Sequence, residues 1–377
     1  MIFWQRKVGL ILSLLLLTTL TGCVPKNPFA RISPEESPLL DFAQIYSRFN
    51  LNVKTIQRLD TDGDGVSEWV VFYRFDLPPS ESGRERFAPI AGLVYDATDC
   101  RPPSILPYPL DPGDRNYLGT DTVSAEATNL LGADDSVPEV VARTTTNGIV
   151  TALSVFQWFD VTQNPCQPRY AGQQGYRLMG TFRGDAGVEI GANGAIIVKQ
   201  LAAFDRSQFA YRRVYVPQDR NGGAEGYMKE GGRELADPTS ESITFAFGPP
   251  ASPRDSPYPE KSILAFYLAL GKDNDGARTF LAIDADPSVT QTNFGLGTPL
   301  DEVDHVVVKG IEYAPDLDLE QEHEPVQVVA RVVTVRKNGD SDPMREVRWL
   351  LKGVPIPERT DCEWRLSKLI STKPWNP

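Results

Sequence analysis

Residues 55–75 read TIQRLDTDGDGVSEWVVFYRF, and this stretch decides the fold of the N-terminal half of the chain. β-Branched and aromatic residues stand on both sides of a run of Asp and Gly, which predicts two strands joined by a short loop. Three aspartates occupy alternate positions from Asp60, and their carboxylates repel one another unless a cation neutralises them. Gly63 and Gly65 permit the sharp turn that gathers these side chains, and hard oxygen ligands in this number favour Ca²⁺ over Mg²⁺ or Zn²⁺. An EF-hand is excluded because its twelfth position would be Val71 and because both flanks are strand-like.

The loop resembles the calcium loop of the FG-GAP or VCBS repeat family. In that family an Asp-x-Asp-x-Asp-Gly-x-x-Asp/Glu loop joins two strands of a β-propeller blade. The resemblance covers roughly residues 53–75. It implies one Ca²⁺ held by four side chains and one backbone carbonyl, which belong to Asp60, Asp62, Asp64, Glu68 and, for the carbonyl, Val66. The alternative is a solvated acidic turn without metal.

Residues 39–247 as a whole read as an all-β domain, with one short helix at residues 39–49. Alternating or β-branched runs separated by Gly, Pro, Asn and Asp predict strands at Val53–Leu59, Glu68–Phe75, Ile90–Tyr95, Pro138–Arg143, Ile149–Trp158, Gly194–Leu201 and Tyr211–Val216. Weaker echoes of the acidic loop at residues 129–141 and 182–190 fit diverged propeller blades, and equally fit ordinary turns. The domain is therefore predicted to be propeller-like or a β-sandwich.

A Pro-rich stretch at residues 248–257 predicts a linker to a second domain at residues 258–377. A helix is expected from Pro259, then a second short helix over Gly276–Ile283. Strands are expected after the helices, at His305–Tyr313, Val326–Arg336, Arg345–Lys352 and Trp364–Ile370.

This order of elements resembles the nuclear-transport-factor-like cone fold. The pattern that carries the resemblance is Phe266-Tyr267-x-Ala269-Leu270 followed by a Gly/Asp break. It implies a small α+β domain in which a curved antiparallel sheet wraps a helix and leaves a pocket. Some members of that family are enzymes with a His–Asp or Tyr–Asp pair in the pocket. The overall fold class is therefore mixed, with an all-β domain followed by a cone-shaped α+β domain.

The N-terminus predicts export and lipid attachment. Arg6 and Lys7 precede an apolar run at Val8–Leu20, which is too short for the roughly 20 residues of a membrane-spanning helix but suits a secretory signal. The run ends in Leu-Thr-Gly before Cys23, which resembles the bacterial lipobox. The resemblance implies a signal peptide at residues 1–22 and a lipid on Cys23, which anchors the protein to a bacterial membrane on the extracytoplasmic side. Residues 23–38 are rich in Pro and predict a tether.

The remaining cysteines fit an oxidising compartment. Cys100 and Cys166 both follow apolar strands in turn contexts, and they are predicted to form a disulfide. Cys362 lies in the other half of the chain and is expected to be a buried or partly buried free thiol.

Composition narrows the function. The chain has 377 residues and a net charge of −12, which argues against a nucleic-acid partner. His305, expected at the start of a strand, and His323, within an acidic loop, are the only two histidines, which argues against His-based catalysis. The expected function is a non-enzymatic, lipid-anchored extracytoplasmic binding protein with a structural calcium site and an unknown protein, glycan or small-molecule partner. The alternatives are an enzyme acting on a small molecule in the cone pocket and a structural envelope component.

Overall fold

The computed structural model describes residues 51–77, 86–87, 90–95, 104–106, 122–130, 137–160, 174–203, 205–220, 223–229, 235–255, 257–314 and 324–376. The expectations for residues 1–49, the Cys100–Cys166 disulfide and His323 lie outside these residues.

Most of the described chain is β-strand. The first nine strands are β1 (Leu51–Leu59), β2 (Glu68–Leu77), β3 (Arg86–Phe87), β4 (Ala91–Tyr95), β5 (Ser104–Ile105), β6 (Thr122–Thr128), β7 (Glu139–Thr146), β8 (Ile149–Asp160) and β9 (Gln174–Arg183). The next six are β10 (Gly187–Ile190), β11 (Ile196–Leu201), β12 (Phe209–Tyr215), β13 (Gln218–Arg220), β14 (Gly223–Gly226) and β15 (Ser240–Phe245). Helices α1 (Pro259–Ala269), α2 (Asn274–Arg278) and α3 (Ser288–Gln291) follow, and then strands β16 (Val303–Glu312), β17 (Val326–Arg336), β18 (Arg345–Pro355) and β19 (Cys362–Pro374).

These strands form four main antiparallel sheets and one small hairpin, so the expected β-rich fold is confirmed. The main sheets have the strand orders β1-β2-β4-β5, β6-β7-β8-β9, β10-β11-β12-β15 and β16-β17-β18-β19. Strand β3 pairs with β2 beside the first sheet, and β13 and β14 form the hairpin. All seven strands predicted before the Pro-rich stretch are present, and so are the four predicted after it.

The described residues divide into two compact units. The first contains those of Met1–Thr181 and Pro217–Leu235, and the second those of Phe182–Val216 and Ala236–Pro377. This differs from the division predicted at residues 248–257, because that stretch lies inside the second unit.

The reason for this difference is that strands β12 and β15 share a core with the C-terminal residues. Phe209 and Phe245 belong to the same buried apolar cluster as Phe266 of helix α1. The Pro-rich stretch is itself fastened to the last strand, since the indole Nε1 of Trp364 donates to the Pro257 carbonyl at 2.8 Å. Its prolines mark turns within a domain rather than a boundary between domains.

In the first unit, one buried apolar cluster draws on strands of both sheets. Val70 and Phe72 come from β2, whereas Val140 and Phe156 come from β7 and β8. Between the sheets, the side chain of Gln57 on β1 bonds both backbone groups of Ala125 on β6, at 2.5 Å to the N–H and 3.0 Å to the carbonyl.

In the second unit, helix α1 packs on the sheet β16-β17-β18-β19. The helix begins at Pro259, as predicted, with Pro in its first turn. Aromatic rings fill the interface, where Phe266 lies 5.4 Å from Phe294 and 5.6 Å from Trp349 between ring centroids.

The second predicted helix, Gly276–Ile283, is wrong in extent. Helix α2 starts at Asn274, ends at Arg278 and is capped by Asp273, whose carboxylate accepts the Gly276 N–H at 2.9 Å. The chain then turns to pair with β19, because the Ala282 N–H donates to the Leu366 carbonyl at 2.9 Å. This pairing ends the helix early.

Candidate metal centre

The acidic loop connects strands β1 and β2, as the sequence predicts. Leu59 pairs with Glu68 across the hairpin, so the two ends of the loop meet at the last rung of the ladder. Gly63 and Gly65 have φ values of 79° and 86°, in the left-handed region that glycine adopts without strain. The two glycines therefore allow the tight turn that the sequence implies.

Backbone N–H groups orient the aspartates. Asp60 accepts the N–H of Gly63 at 2.8 Å with Oδ1 and that of Gly65 at 3.0 Å with Oδ2. Asp62 accepts the Asp64 N–H at 3.2 Å, and Asp64 accepts the Val66 N–H at 2.7 Å. Each carboxylate is thus hydrogen-bonded to the backbone of its own loop.

Among the acidic residues of the motif, Glu68 is the buried one. Its Oε2 accepts two hydrogen bonds from Thr61, each of 2.6 Å, one from the backbone N–H and one from the hydroxyl. The Thr61 hydroxyl also lies 2.5 Å from the hydroxyl of Tyr176 on strand β9. The Thr61 hydroxyl has one proton and donates it to Glu68, so in its contact with Tyr176 the tyrosine hydroxyl is the donor. A hydrogen-bond chain therefore runs from Tyr176 through Thr61 to the Glu68 carboxylate.

Three of the predicted ligands converge. One carboxylate oxygen each of Asp60, Asp62 and Glu68 lie within 4.8 Å of one another. Two oxygens bound to one Ca²⁺ at about 2.3–2.6 Å cannot be more than about 5 Å apart, so the spacing fits a shared ion. The carboxylate of the exposed Asp64 is not in this group, and Val66 is also exposed.

The first weaker echo reproduces one feature of this loop. Glu139 is the first residue of strand β7 and pairs with Thr128, the last residue of β6. Glu68 has the same place in the first hairpin, where it is the first residue of β2 and pairs with Leu59, the last residue of β1. Glu139 is fully buried and accepts the backbone N–H of Leu130 at 2.7 Å across the loop. Of the loop between these residues, 131–136 lie outside the described part of the chain.

The second echo does not have this feature. There Asp185 accepts the Leu201 N–H at 2.6 Å, and Glu189 forms a salt bridge of 2.7 Å with Lys199.

In the second unit, His305 and Tyr267 occupy different environments. His305 is the third residue of strand β16, and its Nδ1 is 2.7 Å from a carboxylate oxygen of the neighbouring, exposed Asp304. Inside the unit, Tyr267 is fully buried, and burial raises the pKa of its hydroxyl far above the usual value. That hydroxyl accepts the Trp349 indole N–H at 2.8 Å and donates to the Phe294 carbonyl at 3.3 Å.

Cys362 is a buried free thiol, as predicted. Burial is the largest cause of the raised pKa of this thiol. A raised pKa disfavours the thiolate that nucleophilic chemistry needs.

Sequence reasoning missed Thr61 and Tyr176. A Thr within an acidic loop carries a weak local signal, since its hydroxyl is suited to a nearby carboxylate. Tyr176 lies 115 residues away and carries none.

Comparison with known proteins gives no relative for this chain. No family model, no curated protein and no solved structure matches it. Among the described residues, no helix is both long and apolar enough to cross a membrane.

Proposed function

We propose that the Asp60–Glu68 loop binds one Ca²⁺ as a structural ion. The observation that carries this proposal is the convergence of the Asp60, Asp62 and Glu68 carboxylates within 4.8 Å. Three carboxylates supply three negative charges at one point, and a divalent cation offsets their mutual repulsion. All three are hard oxygen ligands, which suit Ca²⁺ and give no preference for Zn²⁺.

The ion would stabilise the first unit through Glu68. This residue is buried, belongs to strand β2 and is linked through Thr61 to Tyr176 on strand β9. A cation held by Glu68 therefore acts on two sheets of the first unit and not only on its own loop. In this role the ion supports the fold, and no proton transfer is assigned to the carboxylates.

The finer fold assignments are part of the same proposal. We infer that the first two sheets are propeller-like blades, because each is an antiparallel meander. In both sheets the second strand begins with a glutamate, which is Glu68 in β2 and Glu139 in β7. We infer a cone-like C-terminal part from helix α1 packed on the meander β16–β19.

We further propose that the protein is a lipid-anchored, extracytoplasmic and non-catalytic binding protein. The lipobox-like residues 20–23 support the anchor and the location. The imidazole of His305 lies beside the carboxylate of its exposed neighbour Asp304, and the Tyr267 hydroxyl makes two hydrogen bonds inside the core, which supports a non-catalytic role. Its partner is a protein, a glycan or a small molecule.

Calorimetric titration with CaCl₂ tests the ion. We expect one site, and calcium at about a hundred times its Kd should stabilise the first unit by about 2.7 kcal/mol. Asp62→Asn should abolish the heat and the thermal shift, because it removes a charged ligand and keeps the turn glycines. Asp275→Asn, the same change at an exposed residue of the second unit, is the matched control. Absence of calcium heat at millimolar ion, with identical melting in chelator, would reduce the loop to an acidic turn.

A further inference from the structure

Asparagine is followed directly by glycine at several places in the chain. These pairs stand at 147–148, 193–194, 221–222 and 338–339, of which 221–222 lies outside the described residues. In such a pair the backbone nitrogen of the glycine can attack the side-chain carbonyl carbon of the asparagine, because glycine has no side chain to obstruct the approach. In a folded protein the reaction depends on how firmly the structure holds the two reacting groups.

Asn147 and Gly148 form the whole connection between strands β7 and β8. Thr146 pairs with Ile149, so these two residues alone make the turn. Their φ values are 52° and 81°, which fit a type I′ hairpin turn, and both residues are exposed. Within the described part of the chain, no hydrogen bond holds the Asn147 side chain or the Gly148 N–H. Apart from its chain neighbours, no atom lies within 4 Å of where a Cβ on Gly148 would be, so the two reacting groups can move freely.

The pair at 338–339 is held by hydrogen bonds. Nδ2 of Asn338 donates to a carboxylate oxygen of Asp340 at 2.7 Å, and its Oδ1 accepts the Asp340 N–H at 3.0 Å. The Gly339 N–H donates to the Arg336 carbonyl at 2.8 Å. These three bonds oppose the movement that would bring the Gly339 nitrogen to the side chain of Asn338.

The pair at 193–194 is restrained by burial. Asn193 is exposed, but Gly194 is buried within its turn. A backbone bond of 2.7 Å from the Gly191 N–H to the Ala195 carbonyl closes the chain around it. The nitrogen of Gly194 is therefore less accessible than one at an open hairpin tip.

We propose that Asn147 is a site of spontaneous deamidation in the folded protein. The Gly148 nitrogen forms a bond to Cγ of Asn147, the Cγ–Nδ2 bond breaks, and Nδ2 leaves as ammonia with the proton from the Gly148 nitrogen. Water then opens the cyclic imide that results. Cleavage between the ring nitrogen and Cγ gives aspartate, whereas cleavage between the ring nitrogen and the main-chain carbonyl carbon gives isoaspartate. Either product adds one negative charge to the hairpin tip.

The two products differ in their effect on the hairpin. Aspartate tolerates a positive φ, so it is compatible with the turn. Isoaspartate carries one additional carbon in the main chain, and the turn type of a hairpin depends on its loop length. The Thr146–Ile149 pair at the end of the ladder should therefore loosen only in the isoaspartate form.

Peptide mapping of the full chain by mass spectrometry, during incubation in mildly alkaline buffer, tests the proposal. We expect the replacement of NH by O to appear at Asn147 at least about fivefold faster than at Asn338, since one hydrogen bond of average strength that must first break slows a reaction by about this factor. In concentrated urea the two sites should convert at similar rates, because their reacting residues are the same. Equal rates in the folded protein, or conversion at Asn147 only in urea, would overturn the proposal.

Matched variants separate the reaction from its consequence. Asn147→Gln should abolish the charge gain at this position, because the longer side chain disfavours ring closure, whereas Asn338→Gln should leave the rate at Asn147 unchanged. Asn147→Asp adds the charge without the extra main-chain carbon. Amide exchange at Ile149 should therefore be faster in the isoaspartate form of the aged protein than in Asn147→Asp, and equal exchange would refute the effect on the hairpin. None of these results bears on the calcium site.

Discussion

Thr61→Val should destabilise the first unit even when no calcium is present. Valine has nearly the same shape, so the change removes the hydroxyl and little else. The lost contacts are the 2.6 Å bond to the Glu68 carboxylate and the 2.5 Å contact from Tyr176. A hydrogen bond to an ionised group is worth about 1.5–3 kcal/mol and a neutral one about 0.5–1.5 kcal/mol. We expect a loss of about 2–4 kcal/mol in the free energy of unfolding of the first unit.

Urea unfolding in chelator, followed by amide hydrogen exchange of strands β1 and β2, measures this loss separately from the second unit. Such a local readout is needed because a chain with two units need not unfold in a single transition. Thr290→Val is the matched control, since its hydroxyl bonds the Pro287 carbonyl at 3.1 Å on the exposed surface of the second unit.

A double-mutant cycle with Tyr176→Phe isolates the link to the second sheet. If the hydrogen-bond chain is coupled, the two changes should interact by about 0.5–3 kcal/mol. A loss below about 1 kcal/mol in Thr61→Val, or strict additivity with Tyr176→Phe, would refute the argument that Thr61 connects Glu68 to strand β9.

Two further predictions concern other parts of the chain. Burial raises the pKa of Tyr267, so the folded protein retains a proton on this hydroxyl that the unfolded chain releases above about pH 10. The free energy of unfolding should therefore fall as the pH rises past that value. Tyrosinate absorbance from Tyr267 should appear only when the protein unfolds. Tyr267→Phe should reduce the absorbance step that accompanies unfolding by the contribution of one tyrosine, because burial also raises the pKa values of Tyr227 and Tyr313; an unchanged step, or loss of the Tyr267 contribution from a step that precedes unfolding, would contradict the burial argument. Cys23→Ala should release the protein from membranes or leave an unprocessed precursor, as judged by fractionation and gel mobility, with Cys362→Ala as the control; normal processing and membrane attachment of Cys23→Ala would refute the lipobox interpretation.

The hairpin around the acidic loop could be predicted because its signals are local. Alternating Asp and Gly, flanked by β-branched and aromatic runs, determine both the turn and the register in which Leu59 meets Glu68. The four C-terminal strands were predictable for the same reason, since their β-branched runs are long and separated by clear turns.

Strands β6 and β9 carry weak local signals, and they were not predicted. β6 reads TVSAEAT, with small residues in place of large apolar ones, and β9 contains two glycines. Both acquire their strand conformation from pairing with neighbours, which a local pattern does not contain. The contact between Tyr176 and Thr61 could not be predicted for the same reason, because it depends on how strand β9 packs against the first sheet.

The boundary predicted at residues 248–257 differs from the observed division into units for another reason. Proline density reports local backbone preference, whereas a domain is defined by which apolar faces are buried together. Phe209 and Phe245 precede the Pro-rich stretch, yet they pack with helix α1, and no local property of residues 248–257 reveals that.

The interleaving of the two units has a consequence for synthesis. The first unit consists of two chain segments, Met1–Thr181 and Pro217–Leu235. Strands β10–β12 of the second unit lie between them in the sequence. Tyr227 in the resumed segment is fully buried, and its backbone N–H donates to the Met179 carbonyl at 2.9 Å. A ribosome or an export channel delivers the chain from its N-terminus, so the first unit cannot complete its core until the opening strands of the second unit have also emerged. Those strands must then wait for helix α1 before their own apolar face is covered. During delivery, neither unit reaches its finished state before part of the other is present.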